Sequence, residues 1–125
     1  MVEQFNAYTV VDSTTHVNGK LTLGENTADN GGARIALMAL MDSLAGKTAP
    51  KIDGFTPEQR FFLAFGQVWC ANQREEALRL QVQTDPHSPA KYRVNGVVVN
   101  MPEFQKAFSC KPGAPMVKQS ACRVW

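Results

Sequence analysis

The chain has 125 residues, 44% hydrophobic and 19% charged, and its 13 basic and 11 acidic side chains leave a net charge of +2. Such a length suffices for one domain spanning residues 1–125, and a composition without low-complexity tracts or repeats argues against disorder. Scattered Lys and Arg argue against a nucleic-acid partner, and no apolar run approaches the ~18–20 residues of a membrane span or makes a leader peptide of Met1 to Phe5.

Residues 1–20 alternate only loosely and carry Asp, Asn and Gly punctuation, so extended or irregular chain without a long helix is expected. From Glu25 to Leu44, apolar residues at Ile35, Leu37, Met38, Leu40, Met41 and Leu44 recur at helical spacing. Asn30-Gly31-Gly32 reads locally as a turn, because each glycine inside a helix costs about 1 kcal/mol relative to Ala, and pattern alone starts the helix after Gly32.

Thr56-Pro57-Glu58-Gln59 carries a capping box with Pro at the first helical position. Phe61, Phe62, Phe65, Val68 and Trp69 then form a wide apolar stripe, which predicts a largely buried helix. A shorter helix is expected over Asn72 to Gln81, with Glu75 and Arg79 paired at its surface. Ser88 as cap and Pro89 as first residue predict a helix over Ala90 to Val98. A last short helix is expected with Asn100 as cap, Pro102 near its start, Phe104 and Phe108 four apart, and Lys111-Pro112-Gly113 as its end. The terminal Trp125 is expected to pack against the fold.

Two groups of residues can carry chemistry. Glu25 and Asp29, four apart, face the same way on a helix and repel by roughly 0.2–0.5 kcal/mol. A metal with an imidazole ligand would offset that repulsion, one carboxylate binding the ion and the other accepting the distal N–H of the histidine. Two solvated acids favoured by the helix dipole are the plainer alternative. His87, in Pro86-His87-Ser88-Pro89, is presented by stiff backbone and could stabilise an oxyanion, while the donors of Arg93 could hold a carbonyl. The alternative is a turn histidine and a surface arginine. Cys70, Cys110 and Cys122 match no zinc spacing; they read either as buried thiols or as halves of disulfides whose partners lie elsewhere.

Taken together, four ordered blocks resemble the neprilysin, endothelin-converting-enzyme and bacterial oligopeptidase family of M13 zinc metallopeptidases. Residues 17–32 (V-N-G-K-L-T-L-G-E-N-T-A-D-N-G-G) resemble its N-G-x-x-T-L-G-E-N-x-A-D-x-G-G block. Residues 61–70 (F-F-L-A-F-G-Q-V-W-C) resemble F-F-x-x-F-A-Q-x-W-C, with Gly66 where Ala is usual. T-D-P-H-S-P over 84–89 with Y-R-V-N-G over 92–96, and C-R-V-W over 122–125, complete the set.

The resemblance implies a mainly α chain, the C-terminal part of a thermolysin-like zincin catalytic domain. It implies that Glu25 is the third ligand of a Zn2+ ion and Asp29 the acceptor that orients a zinc-bound histidine, on a helix running through both glycines. The glycines would then serve close backbone approach. His87 would stabilise the transition state, Arg93 would hold a carbonyl of the peptide substrate, and Val68 and Trp69 would line the pocket for the side chain after the cut. The family's H-E-x-x-H is missing, since the chain has only His16 and His87. Two histidine ligands and the base are therefore expected in an upstream portion of the same polypeptide, and the chain alone is expected to be inactive. A non-catalytic helical binding module derived from the same family is the alternative. In animal members the counterparts of the three cysteines pair upstream, which implies an extracytoplasmic parent: periplasmic, secreted or a membrane-anchored ectodomain. Val68, Trp69 and the faces that meet the missing part should be exposed, making self-association plausible.

Overall fold

The computed structural model describes residues 1–124. Six helices follow in chain order: α1 (Val2–Asn6), α2 (Leu23–Leu44), α3 (Pro57–Val68), α4 (Glu75–Thr84), α5 (Ala90–Val98) and α6 (Pro102–Ala107). Strand pairing among the described residues is limited to isolated bridges between Thr9 and His16 and between Ile52 and Phe55, so the chain is mainly α. The expectation for Trp125 lies outside the described residues.

α5 is the central element, because both hydrophobic clusters close on it. On one side Val97 and Val98 pack with Ala33 and Leu37 of α2, Phe62 of α3 and Met101. Phe104 meets Phe62 edge-on at 5.3 Å and extends this cluster into α6. On the other side Tyr92 joins Phe5 of α1, Val17 and Val82 of α4, and Tyr8 stacks on Tyr92 at 4.4 Å. Phe5 and Val97 have no exposed surface, and each such side chain contributes about 1.5–3 kcal/mol of burial.

α2 is a single helix of 22 residues that runs through Gly31 and Gly32, so the local turn reading fails. The apolar residues that predicted the helix are divided: Leu37 is buried, while Ile35, Met38 and Met41 are exposed. Its inward face begins with polar residues, Thr22, Asn26 and Asn30, each at most 5% exposed. Hydrogen bonds satisfy them: Asn26 Nδ2 donates to Thr22 Oγ1 and Asn30 Nδ2 to the Asn26 carbonyl, both at 2.8 Å. Tertiary packing therefore overrides the glycine penalty.

Other local expectations need correction. α3 has its capping box, but only Phe62 is buried, and Leu63 and Val68 are exposed. Its apolar stripe is wider than the surface this chain offers to cover it. α4 starts and ends three residues later than expected, and Arg79 pairs with Asp12 at 2.6 Å instead of with Glu75. The Asp12 carboxylate also accepts from Thr14 and Thr15, which gives Arg79 a fixed partner that a flexible glutamate does not. Ser88 does not cap α5; Pro89 holds that position and the Ser88 hydroxyl turns inward. Asn100 does not cap α6 either, because Met101 does, and Asn100 is buried among Gln4, Asn30 and Gly96. α6 ends at Ala107, and Ser109 takes a φ of 51° before Lys111-Pro112-Gly113 is reached.

Two glycines on facing helices separate conformational cost from packing. A Cβ at Gly96 would lie 2.7 Å from the buried Phe5 ring, whereas one at Gly32 meets no described atom within 4 Å. No close approach at Gly32 is therefore made among the described residues. Gly32→Ala should stabilise the chain by about 1 kcal/mol, and Gly96→Ala should destabilise it by about 1–3 kcal/mol. Urea midpoints of the two variants check both signs.

Candidate active site

The Glu25 and Asp29 carboxylates project from the first turns of α2 on one face, as their spacing predicts. What compensates their repulsion is the Arg93 guanidinium of α5. Nε donates to Asp29 Oδ2 and Nη2 to Asp29 Oδ1, both at 2.7 Å, and Nη2 also reaches Glu25 Oε2 at 3.3 Å. The two-pronged contact matches the planar fork of Arg to a carboxylate, which Lys cannot reproduce. The Arg93 and Asp29 side chains are each only 13% exposed. The Asp29 bond, opposed by burial, raises the Arg93 pKa further.

Trp69, at the C-terminal end of α3, lies under the guanidinium with Arg93 Cζ 4.1 Å from its ring centre. This cation–π contact ties α3 to α2 and α5 through one side chain. Trp69 is accordingly half-buried, against expectation, while Val68 is 75% exposed. Between α2 and α3, next to Asp29, opens a groove of about 400 Å³ floored by Ala28 and Gly32 and walled by Phe65 and Val68.

His87 reaches the same place from the loop between α4 and α5. Its Nε2 lies 3.3 Å from Glu25 Oε2 and its Nδ1 2.7 Å from Asp85 Oδ1. Asp85 also accepts the His87 backbone N–H at 2.8 Å, and this bond first, then the one to the ring, holds its carboxyl below the usual carboxylate range. Two carboxylate acceptors thus face the two ring nitrogens. Asp85 is a site residue that sequence reasoning missed. An Asp two residues before a histidine in a turn is the signal that could have found it, since Asx side chains bond the backbone two residues on.

The donor set fits one arm of a zinc centre. Glu25 offers a half-exposed carboxylate, and each Asp29 oxygen keeps a lone pair beyond its bond to Arg93. Among the described residues no group of three or more His, Cys, Asp or Glu could hold a metal, and catalytic zinc takes three protein ligands. Cys70 is exposed, Cys110 and Cys122 are partly buried, and none is paired with another described residue. No described helix is long and apolar enough to cross a membrane.

The sequence matches Peptidase family M13 over residues 1–124. The chain belongs to the M13 family. It is 44% identical to endothelin-converting enzyme 1 of Bos taurus and 42% identical to neprilysin-1 of Caenorhabditis elegans, in each case over 100% of this chain and 17% of the relative. Its fold is similar to that of the Mycobacterium tuberculosis zinc metalloprotease Zmp1, solved in complex with an inhibitor, with a TM-score of 0.92 and 40% identity over 99% of this chain and 20% of that one. PepO from Lactobacillus rhamnosis is similar at a TM-score of 0.81 and 31% identity, over 100% of this chain and 18% of that one. This M13 chain thus spans about a sixth to a fifth of the relatives it matches.

Arg93 makes the site a test of geometry as well as charge. Arg93→Lys keeps the charge and loses the paired bonds to Asp29, and should lower stability by about 1.5–3 kcal/mol. Denaturant titration of both proteins checks this; an unchanged midpoint would contradict it.

Proposed function

We propose that this chain supplies the third zinc ligand and the substrate-facing residues of an M13 zinc endopeptidase, as the C-terminal part of its catalytic domain. The two histidine ligands and the general base come from polypeptide outside these 125 residues. One observation carries the reading: Arg93 reaches Asp29 and Glu25 across 64 and 68 residues of sequence, and His87 Nε2 arrives at the same Glu25 oxygen. Four polar side chains of complementary chemistry so meet beside an apolar groove.

In this reading Glu25 binds the metal and Asp29 accepts the distal N–H of a zinc-bound histidine, holding that ring in place. Zinc, when bound, polarises the scissile carbonyl and activates water. His87, held by Asp85, donates from Nε2 to the oxygen on which negative charge develops. Arg93 can clamp Asp29 and still hold a peptide carbonyl, because its Nη1 has no hydrogen bond among the described residues. The groove that Val68 walls takes the apolar side chain that follows the cut, with Trp69 stacked on Arg93 and not among the residues lining it.

The surface supports a partner from the same polypeptide. The chain exposes 7837 Å², against roughly 6,600 Å² for a compact monomer of its mass. Ile35, Met38, Leu63 and Val68 are among the apolar residues left exposed. Without that partner, self-association through such exposed apolar residues is expected, as a sedimentation coefficient that rises with concentration. The parent protein is read as extracytoplasmic, on the family resemblance of its three cysteines.

The test is a graft of this chain in place of the matching part of Zmp1. The graft should cleave peptides in a chelator-sensitive way, and Glu25→Gln and His87→Phe should each lower kcat/KM by about a hundredfold or more. A graft that cleaves equally well with Glu25→Gln contradicts the reading, as does stoichiometric zinc binding with peptide cleavage by the 125 residues alone.

A further inference from the structure

A chain of buried polar groups runs behind the site and ends beside His87. Cys122 N–H donates to Asn100 Oδ1 at 3.0 Å, and Asn100 Nδ2 donates to Asn30 Oδ1 at 3.1 Å. Asn30 bonds the Asn26 carbonyl, and Asn26 Nδ2 bonds Thr22. The remaining acceptor, Asn26 Oδ1, receives the Ser88 hydroxyl at 2.7 Å. Asn26 and Ser88 are each 1% exposed, so neither can exchange this bond for water.

The two partners are the sequence neighbours of Glu25 and His87. His87 is otherwise tied to α4: its ring and its N–H to Asp85, and its carbonyl to Gln81 Nε2 at 3.2 Å. Those contacts orient the imidazole relative to α4; toward α2 the ring itself meets the half-exposed Glu25 carboxylate at 3.3 Å, while the buried Ser88 hydroxyl joins the adjoining backbone to α2. We propose that the Ser88–Asn26 hydrogen bond is the positioning device that sets the His87 imidazole against Glu25, locking the loop before α5 to α2. The proposal rests on the peptidase reading only in giving that distance a catalytic purpose; the positioning itself is a property of this chain. Ser88 and Asn26 are positioning residues and touch no reacting atom. A serine whose hydroxyl is fully buried and bonded to an amide fixes the backbone on either side of it. Between Pro86 and Pro89 there is little torsional freedom left to absorb its loss.

The experiment uses the 125-residue protein and two NMR readouts: the contact between the His87 ring and the Glu25 side chain, and the hydrogen-exchange rate of the His87 amide. Ser88→Ala should abolish the contact and speed that amide by about tenfold while the α2 amides keep their rates, because the opening is local. Ser88→Thr, which keeps the hydroxyl, should restore both readouts. Should Ser88→Ala fail to fold, the double variant Asn26→Ala with Ser88→Ala leaves no orphaned partner between them and is read the same way. An unchanged contact, or equal acceleration of His87 and α2 amides, overturns the proposal. In the Zmp1 graft Ser88→Ala should lower kcat by about tenfold or more with little change in KM, as expected for misplacement of a catalytic group. An unchanged kcat there overturns the catalytic purpose of the bond. Indifference of the graft to His87→Phe would instead remove the peptidase reading and leave the NMR result standing.

Discussion

The paired contact of Arg93 with Asp29 is the interaction on which the site depends. Two carboxylates one turn apart on α2 repel, and burying the lower one would cost several kcal/mol without a partner. Arg93 removes both penalties, and in doing so fixes the angle between α2 and α5, the two helices in closest contact. Trp69 then completes a three-helix junction by stacking against the guanidinium. The groove and the position of Val68 follow from how these helices are held.

Behind that charged front, α2 presents amides and hydroxyls to the interior where most helices present Leu or Val. Thr22, Asn26 and Asn30 occupy one face at four-residue intervals; Asn26 accepts from Ser88, and Asn30 accepts from Asn100, which in turn accepts the Cys122 N–H. Fully satisfied buried networks of this kind are rigid, since breaking one member strands another. An apolar face would have buried as well, but would not fix the rotation of α2 about its axis. Rotation by one residue, about 100°, would carry Glu25 away from His87.

How far the sequence reveals this follows from the range of each interaction. The capping box at Thr56 and Gln59 was legible because it spans three residues and each partner's chemistry is explicit. The start of α2 was not, because its buried face is polar and its glycines mimic a turn; only the family blocks indicated a continuous helix. Ser88 and Asn100 carry the right chemistry for caps, and local reading assigned them so, yet both side chains bond residues far away in sequence. Glu25, Asp29, His87 and Arg93 were each identified from sequence, and the structure brings them together. That Arg93 is the direct partner of both acids was invisible, since no local pattern encodes a contact 64 residues long.

The central claim, that Glu25 is a metal ligand held ready by Arg93 and His87, is most directly tested by the crystal structure of a longer polypeptide that joins this chain to a two-histidine helix. Anomalous scattering at the zinc edge would locate the ion. The account predicts a Glu25 oxygen about 2.0–2.2 Å from zinc, with Arg93 still bridging Asp29. An ion held elsewhere, with Glu25 still paired to Arg93 and His87, would contradict it.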